Sequence, residues 1–216
     1  MNGVLLIHGF GGSRTEVDRL GEYLTNKGYT VEMPCLTGHE GSRKDLAKAS
    51  YLDWISDVER AYEKLSKKCD NIAVIGFSMG GLLAVQLYQT KRFDKLVTVN
   101  TPVFYWNFRQ IFKNIIKDFK THMCKYLLSG AGLPVSAMFS FQRLLTKTKP
   151  LFKTVDCPAL IVQAQDDDTV KPKSADYIFS CMTNISKRIY TPEQGGHIIF
   201  QSDSFSAIAE EIAVFL

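Results

Sequence analysis

Residues 71–88 read Asn-Ile-Ala-Val-Ile-Gly-Phe-Ser-Met-Gly-Gly-Leu-Leu-Ala-Val-Gln-Leu-Tyr. Asn71 to Ile75 is a short apolar run, the pattern of a buried strand. Leu82, Leu83, Gln86, Leu87 and Tyr88 fall at helical spacing. Between them stands Gly76-Phe77-Ser78-Met79-Gly80, a Gly-x-Ser-x-Gly at a strand-to-helix junction. A turn this tight forces its central serine into strained backbone and leaves no room for flanking side chains, so glycine is required beside it. The result is a hydroxyl held at the end of a sheet, next to a helix N-terminus. The plainer reading of these five residues is a glycine-rich turn. The flanking strand and helix argue against it.

The same rhythm repeats along the chain. Apolar runs at Val4–Ile7, Tyr29–Met33, Ile72–Ile75, Leu96–Val99, Ala159–Gln163 and Ser186–Tyr190 alternate with amphipathic segments. Ser13-Arg14-Thr15-Glu16 has the form of a capping box, and Val17, Leu20 and Leu24 follow on one face until Gly28 stops the helix. Leu52, Ile55, Val58, Tyr62 and Leu65 make a second apolar face. Phe205, Ile208, Ile212 and Phe215 make a last one. Strand and helix in alternation predict an α/β fold around a mostly parallel sheet of about six strands. Ligands of such sheets bind beyond the C-terminal strand ends, so the loops after each strand hold the candidates.

A serine hydroxyl needs a base within hydrogen-bond reach, and the base needs an orienting group. The chain has four histidines, and His197 lies in Gln194-Gly195-Gly196-His197, after the sixth apolar run. After the fifth come Asp166, Asp167 and Asp168. Three consecutive carboxylates cannot all accept one imidazole N–H, and a solvated turn is the expectation for two of them. His8-Gly9-Phe10-Gly11-Gly12 follows the first strand. Its glycines allow close approach, so the Phe10 N–H and the Met79 N–H are the candidate donors to an oxyanion. A dinucleotide loop fails on spacing, because Arg14 stands where the third glycine belongs. No Gly-Lys-Ser/Thr exists for a phosphate loop. His8 reads as a structural partner of its loop, not a second base.

Together these residues resemble the α/β-hydrolase superfamily, and more narrowly the small bacterial carboxylesterases related to monoacylglycerol lipases. The resemblance spans nearly the whole chain. Leu5-Leu6-Ile7-His8-Gly9-Phe10 is similar to the family's oxyanion strand and loop, and Gly76–Gly81 to its elbow. Gly38-His39-Glu40-Gly41 is similar to a family Gly-His-Gly turn, with Glu40 in place of glycine. The order serine, acid, histidine is the family order. The family pattern Asp-x-x-Val-x-Pro selects Asp167, with Val170 and Pro172 in register. Ala164 replaces a frequent glycine, and the chain starts at the oxyanion strand, which implies a shortened sheet. The resemblance thus implies a Ser78-His197-Asp167 triad, oxyanion donors at Phe10 and Met79, and ester hydrolysis with no cofactor and no metal.

Composition bounds the rest. A chain of 216 residues is expected to form one domain with a real core. Residues 103–150 interrupt the alternation and read as a helical cap insert. Residues 103–153 carry nine Lys or Arg against the single acid Asp118, a charge of +8 in a chain whose net charge is +4. Phe104, Phe108, Ile111, Phe112, Ile115 and Phe119 recur there at helical spacing, with Arg109, Lys113, Lys117 and Lys120 largely elsewhere. The plain reading is a cap helix with a solvated basic face. The sharper one is transient contact with acyl chains and anionic lipid surfaces. Tyr105, Trp106 and Phe139 favour an apolar acyl group. The expected partner is a small-molecule ester, with no nucleic acid, and the chain a monomer or homodimer. Five scattered cysteines without a Cys-x-x-Cys pair point to buried free thiols. Neither an apolar run of membrane length nor a signal peptide is visible, so the cytoplasm is the expected compartment.

Overall fold

The computed structural model describes residues 1–104 and 133–216. Six strands form one sheet: β1 (Asn2–Ile7), β2 (Thr30–Glu32), β3 (Asn71–Phe77), β4 (Lys95–Val99), β5 (Ala159–Val162) and β6 (Lys187–Tyr190). Their order is β2-β1-β3-β4-β5-β6, and every pairing is parallel. Parallel strands are covered on both faces, which is why they read as unbroken apolar runs. In β1, Leu5 and Ile7 pack on one face while Val4 and Leu6 pack on the other.

The first face is covered by α3 (Tyr51–Ser66), α4 (Met79–Leu87), α5 (Val135–Thr148) and α6 (Lys173–Cys181). The second is covered by α1 (Asp18–Asn26) and α7 (Phe205–Phe215). A short α2 (Arg43–Lys48) precedes α3. The chain runs from β1 to the sheet edge at β2 and returns to place β3 on the other side of β1. The direction of winding therefore reverses between β1 and β3, and in sheets of this kind ligands bind beyond the C-terminal strand ends at such a point.

Three sequence expectations are corrected in detail. Ser13 and Glu16 do not form a capping box. Ser13 caps a 3₁₀ turn over Arg14–Glu16 by accepting from the Thr15 N–H, and the Glu16 carboxylate turns back to the Gly9 N–H. The reciprocal box forms instead at Ser50 and Asp53, starting α3. The buried stripe of α3 runs through Trp54, Val58, Ala61 and Leu65, while Leu52 is 60% exposed. Leu52 lies in the first turn on the outward side, and Trp54 takes the inward position. Among the cysteines, Cys69 and Cys157 are buried, but Cys35 is exposed and Cys181 half-buried.

Gly28 ends α1 as expected, with φ +92. Of the segment 103–150, α5 is helical and buries Ala137, Phe141, Leu144 and Leu145. Tyr105, Trp106, Phe108, Phe119 and their basic neighbours up to residue 132 lie outside the described residues. Among the described residues, no helix is long and apolar enough to cross a membrane.

Candidate active site

Ser78 sits at the junction of β3 and α4 with φ 50 and ψ −118, a conformation that L-residues rarely adopt. Its N–H donates to Val99 C=O at 2.7 Å, which ties the turn to β4. Close packing explains the glycines. A Cβ on Gly76 would lie 2.3 Å from the Gly80 backbone, and one on Gly80 would lie 2.2 Å from Ile7 C=O. The helix that follows presents its unsatisfied N–H groups and positive dipole end to the serine.

The structure brings Ser78, His197 and Asp167 into one hydrogen-bonded line. Ser78 Oγ lies 3.1 Å from His197 Nε2. His197 Nδ1 lies 3.0 Å and 3.2 Å from the two oxygens of Asp167. An ionised carboxylate only accepts, so Nδ1 carries the proton and Nε2 is left to accept from the serine hydroxyl. The imidazole ring also packs against Phe77, centroid to centroid 5.3 Å.

The three adjacent aspartates do three different things. Asp167 is buried and accepts from the Thr169 and Val170 N–H groups at 2.8 Å, from Gln163 Nε2 at 3.3 Å, and from His197. Those backbone donors are why its side chain turns inward. Asp168 is exposed and meets the Thr169 hydroxyl. Asp166 is also at the surface, yet it is more than a solvated turn residue. Its two oxygens accept from the Gly196 N–H at 2.8 Å and the Gly195 N–H at 3.2 Å, and the Gly196 bond leads in holding its carboxyl below the ordinary range.

Asn100, which the sequence reading passed over, completes this fastening from below. It is fully buried at the end of β4 with φ 47. Its amide N–H groups donate to Gly196 C=O and His197 C=O, each at 2.9 Å, and its oxygen accepts from the Ala164 N–H at 2.9 Å. The histidine loop is thus clasped through its donors by Asp166 and through its acceptors by Asn100. An asparagine directly after an apolar strand run, a residue type that tolerates left-handed backbone, was the available signal.

Across the serine lies the loop His8 to Gly12. His8 is fully buried; its Nδ1–H donates to Gly9 C=O at 2.9 Å, and its Nε2 accepts from the Leu36 N–H at 3.3 Å. Burial first, and then the neighbouring His39, push its pKa down to about 4. It is a neutral strut. The Phe10 ring stacks on Phe141 of α5 at 5.0 Å and meets Trp54 at 5.7 Å. His39, in the second Gly-His turn, packs edge-on against His8 and Trp54. Glu40, in place of a glycine, pairs with Arg14 at 2.6 Å across the surface.

The Phe10 N–H has no hydrogen-bond partner among the described residues, and the Met79 N–H is the first of α4. Because a peptide is planar and trans, fixing Gly9 C=O on His8 turns the Phe10 N–H to the opposite side.

Comparison with known proteins identifies relatives of the chain. The family described as alpha/beta hydrolase fold matches residues 2–113. A thermostable monoacylglycerol lipase of Bacillus sp. (strain H-257) is 30% identical over 207 residues, covering 91% of this chain and 82% of that protein. A carboxylesterase of Bacillus subtilis (strain 168) is 25% identical, covering 99% of this chain and 91% of that protein. A solved structure from work on LipS and LipT, two metagenome-derived lipolytic enzymes, superposes with a TM-score of 0.86 at 24% identity, covering 99% and 92% of the two chains. A soluble variant of monoglyceride lipase from Saccharomyces cerevisiae, solved with a substrate analog, gives 0.78 at 19% identity, covering 99% and 85%. The two structural likenesses speak for the fold alone.

Proposed function

The chain belongs to the α/β-hydrolase fold family, with carboxylic ester hydrolases as its relatives there, and on that premise we propose that it is a serine carboxylesterase of short- to medium-chain acyl esters, monoacylglycerols among them. One observation carries the reading: the unbroken line from Ser78 Oγ through the His197 ring to Asp167, anchored on a left-handed serine.

In the proposed reaction Ser78 Oγ attacks the ester carbonyl while His197 Nε2 takes its proton. Asp167 orients the ring and stabilises the imidazolium that forms. The N–H groups of Phe10 and Met79 receive the oxyanion, assisted by the dipole of α4. His197 returns the proton to the leaving alcohol. Water then repeats the sequence on the acyl-enzyme, with His197 again as base. The reaction calls on no cofactor. The chain acts as one hydrolase domain, residues 1–216, with residues 103–150 as a helical cap inserted over the site. The basic character of that insert supports transient contact with an anionic lipid surface. Vesicle binding that is equal for anionic and neutral lipids would remove that part.

The test is labelling with a fluorophosphonate, wild type against Ser78→Ala, with the adduct located by mass spectrometry. The reading expects one adduct, on Ser78, absent from the variant. A folded wild type that resists the reagent overturns it. A panel of p-nitrophenyl butyrate, acyl thioesters, monoacylglycerols and long-chain triglycerides then sets the substrate. Highest activity on the triglycerides or thioesters would replace carboxylesterase by lipase or thioesterase.

A further inference from the structure

Glu16 is a half-buried carboxylate beside the site that the reaction above does not use. Its Oε2 accepts from the Gly9 N–H at 3.0 Å. The loop folds closely around it: a Cβ on Gly12 would lie 2.1 Å from the Glu16 carboxylate, and a Cβ on Gly9 would lie 3.0 Å from Oε2 and 3.3 Å from the Ser78 Cβ. Gly9 is thereby held on both sides, its N–H by Glu16 and its C=O by His8. With both groups fixed, the two peptide planes meeting at Gly9 cannot rotate independently, and the second of them carries the Phe10 N–H. A glycine without these two bonds would let that plane turn freely.

We propose that Glu16 is a positioning residue for the oxyanion loop, holding the Gly9 N–H so that the Phe10 N–H stays aimed at the carbonyl oxygen of the substrate. The inference rests on the reading of Ser78 as nucleophile and of Phe10 N–H as a donor. Its support is the geometry, joined by a cost: burial is the leading cause that holds the Glu16 carboxyl above the ordinary glutamate value. A carboxylate kept there at a cost in desolvation, close enough to interact electrostatically with His197, is the pattern of a functional group.

The experiment compares wild type, Glu16→Ala, Glu16→Asp and Glu16→Gln on p-nitrophenyl butyrate and on a boronic acid inhibitor that forms a tetrahedral adduct with an activated serine. Glu16→Ala removes the acceptor, and Glu16→Asp keeps the charge but loses a methylene of reach. Both are expected to lower kcat about 10- to 100-fold with KM within about twofold, less than the roughly 10²–10³ for a whole lost donor. Boronate affinity falls in parallel. Glu16→Gln keeps an oxygen that accepts the Gly9 N–H, and kcat recovers to within about threefold of wild type. Wild-type kcat in Glu16→Ala overturns the inference, as does a Glu16→Gln no better than Glu16→Ala. Should the Ala variant fail to fold, the Asp and Gln pair decides on the same terms. An inactive wild type with an unlabelled Ser78 would instead overturn the functional reading.

Discussion

Two glycine-rich loops face each other across Ser78, and both are held by a carboxylate that accepts from glycine N–H groups. The histidine loop, residues 194–197, is held at the surface by Asp166 through two such bonds and from beneath by Asn100. The proposed oxyanion loop, residues 8–12, is held from within by Glu16 through one bond and by the neutral His8. In the proposed reaction the first loop carries the side chain that moves a proton, and the second offers a backbone N–H. The same device is therefore applied under opposite electrostatic conditions. Asp166 keeps its charge easily because the Gly196 N–H and water both solvate it. Burial, the leading cause, raises the Glu16 carboxyl above its ordinary value, against the Gly9 N–H bond that lowers it.

The largest test of this contrast is chemical. Asp167→Asn leaves the shape of the histidine loop but favours the wrong tautomer of His197, and kcat should fall about 10⁴-fold. Substitutions confined to residues 8–12 should not exceed about 10³. Steady-state kinetics on a butyrate ester measures both. A folded oxyanion-loop variant worse than Asp167→Asn would reverse the ranking of the two loops.

Next comes Gly12→Ala, whose methyl group would occupy the place of the Glu16 carboxylate. Glu16 is flexible and can swing away, so the melting temperature should change little while kcat drops about 10- to 100-fold, since a misplaced donor is costly even when it survives. A variant that loses stability but not kcat would make Glu16 a packing group. Asp166→Ala frees two glycine N–H groups to water while Asn100 still grips the loop. About tenfold in kcat, with KM unchanged, is expected. A much larger loss would mean that the surface clasp dominates the buried one.

The smallest effect separates the two carboxylates by pH. The Glu16 carboxyl is raised in the folded state, so its favourable contribution is complete below the ordinary value of 4.5 and is lost as pH rises through the folded value. Glu16→Gln should therefore gain stability relative to wild type between acid and neutral pH. Asp166 is lowered, so its contribution is present above 3.8 and disappears as pH falls through the folded value. Asp166→Asn should lose stability relative to wild type over the corresponding rise. Urea unfolding at several pH values reads the two slopes, and slopes of equal sign would break the comparison.

Much of this was legible in the residues. Runs such as Leu5 to Ile7 could only be central strands, because both faces of the sheet are covered. The elbow announced itself through glycines at 76 and 80, where no Cβ fits. The assignment among the aspartates needed the register of Val170 and Pro172. Its physical basis is the inward turn of Asp167 on the Thr169 and Val170 N–H groups. Glu16 was misread because Ser-x-x-Glu describes local chemistry only. Ser50 and Asp53 realise that pattern, whereas Gly9, seven residues away, offers Glu16 a donor that no nearby spacing reveals. Leu52 was misread because apolar spacing fixes a face but not which residue at its border turns outward. Asn100 escaped notice, and Asp166 reads from sequence as no more than a solvated turn residue, because their partners belong to a loop about a hundred and about thirty residues further on.

That separation has a consequence for the life of the chain. Ser78 and His197 lie 119 residues apart. Proteins emerge from the ribosome N-terminal end first, at about 5–20 residues per second. The residues of the elbow, between β3 and α4, are therefore made well before His197 is. Until then the proposed nucleophile has no base and is a weak one. In the proposed mechanism, activation of Ser78 awaits the docking of His197, which follows β6 in the chain. On the proposed mechanism, products of failed translation that stop before His197 are expected to lack the activity of the whole site.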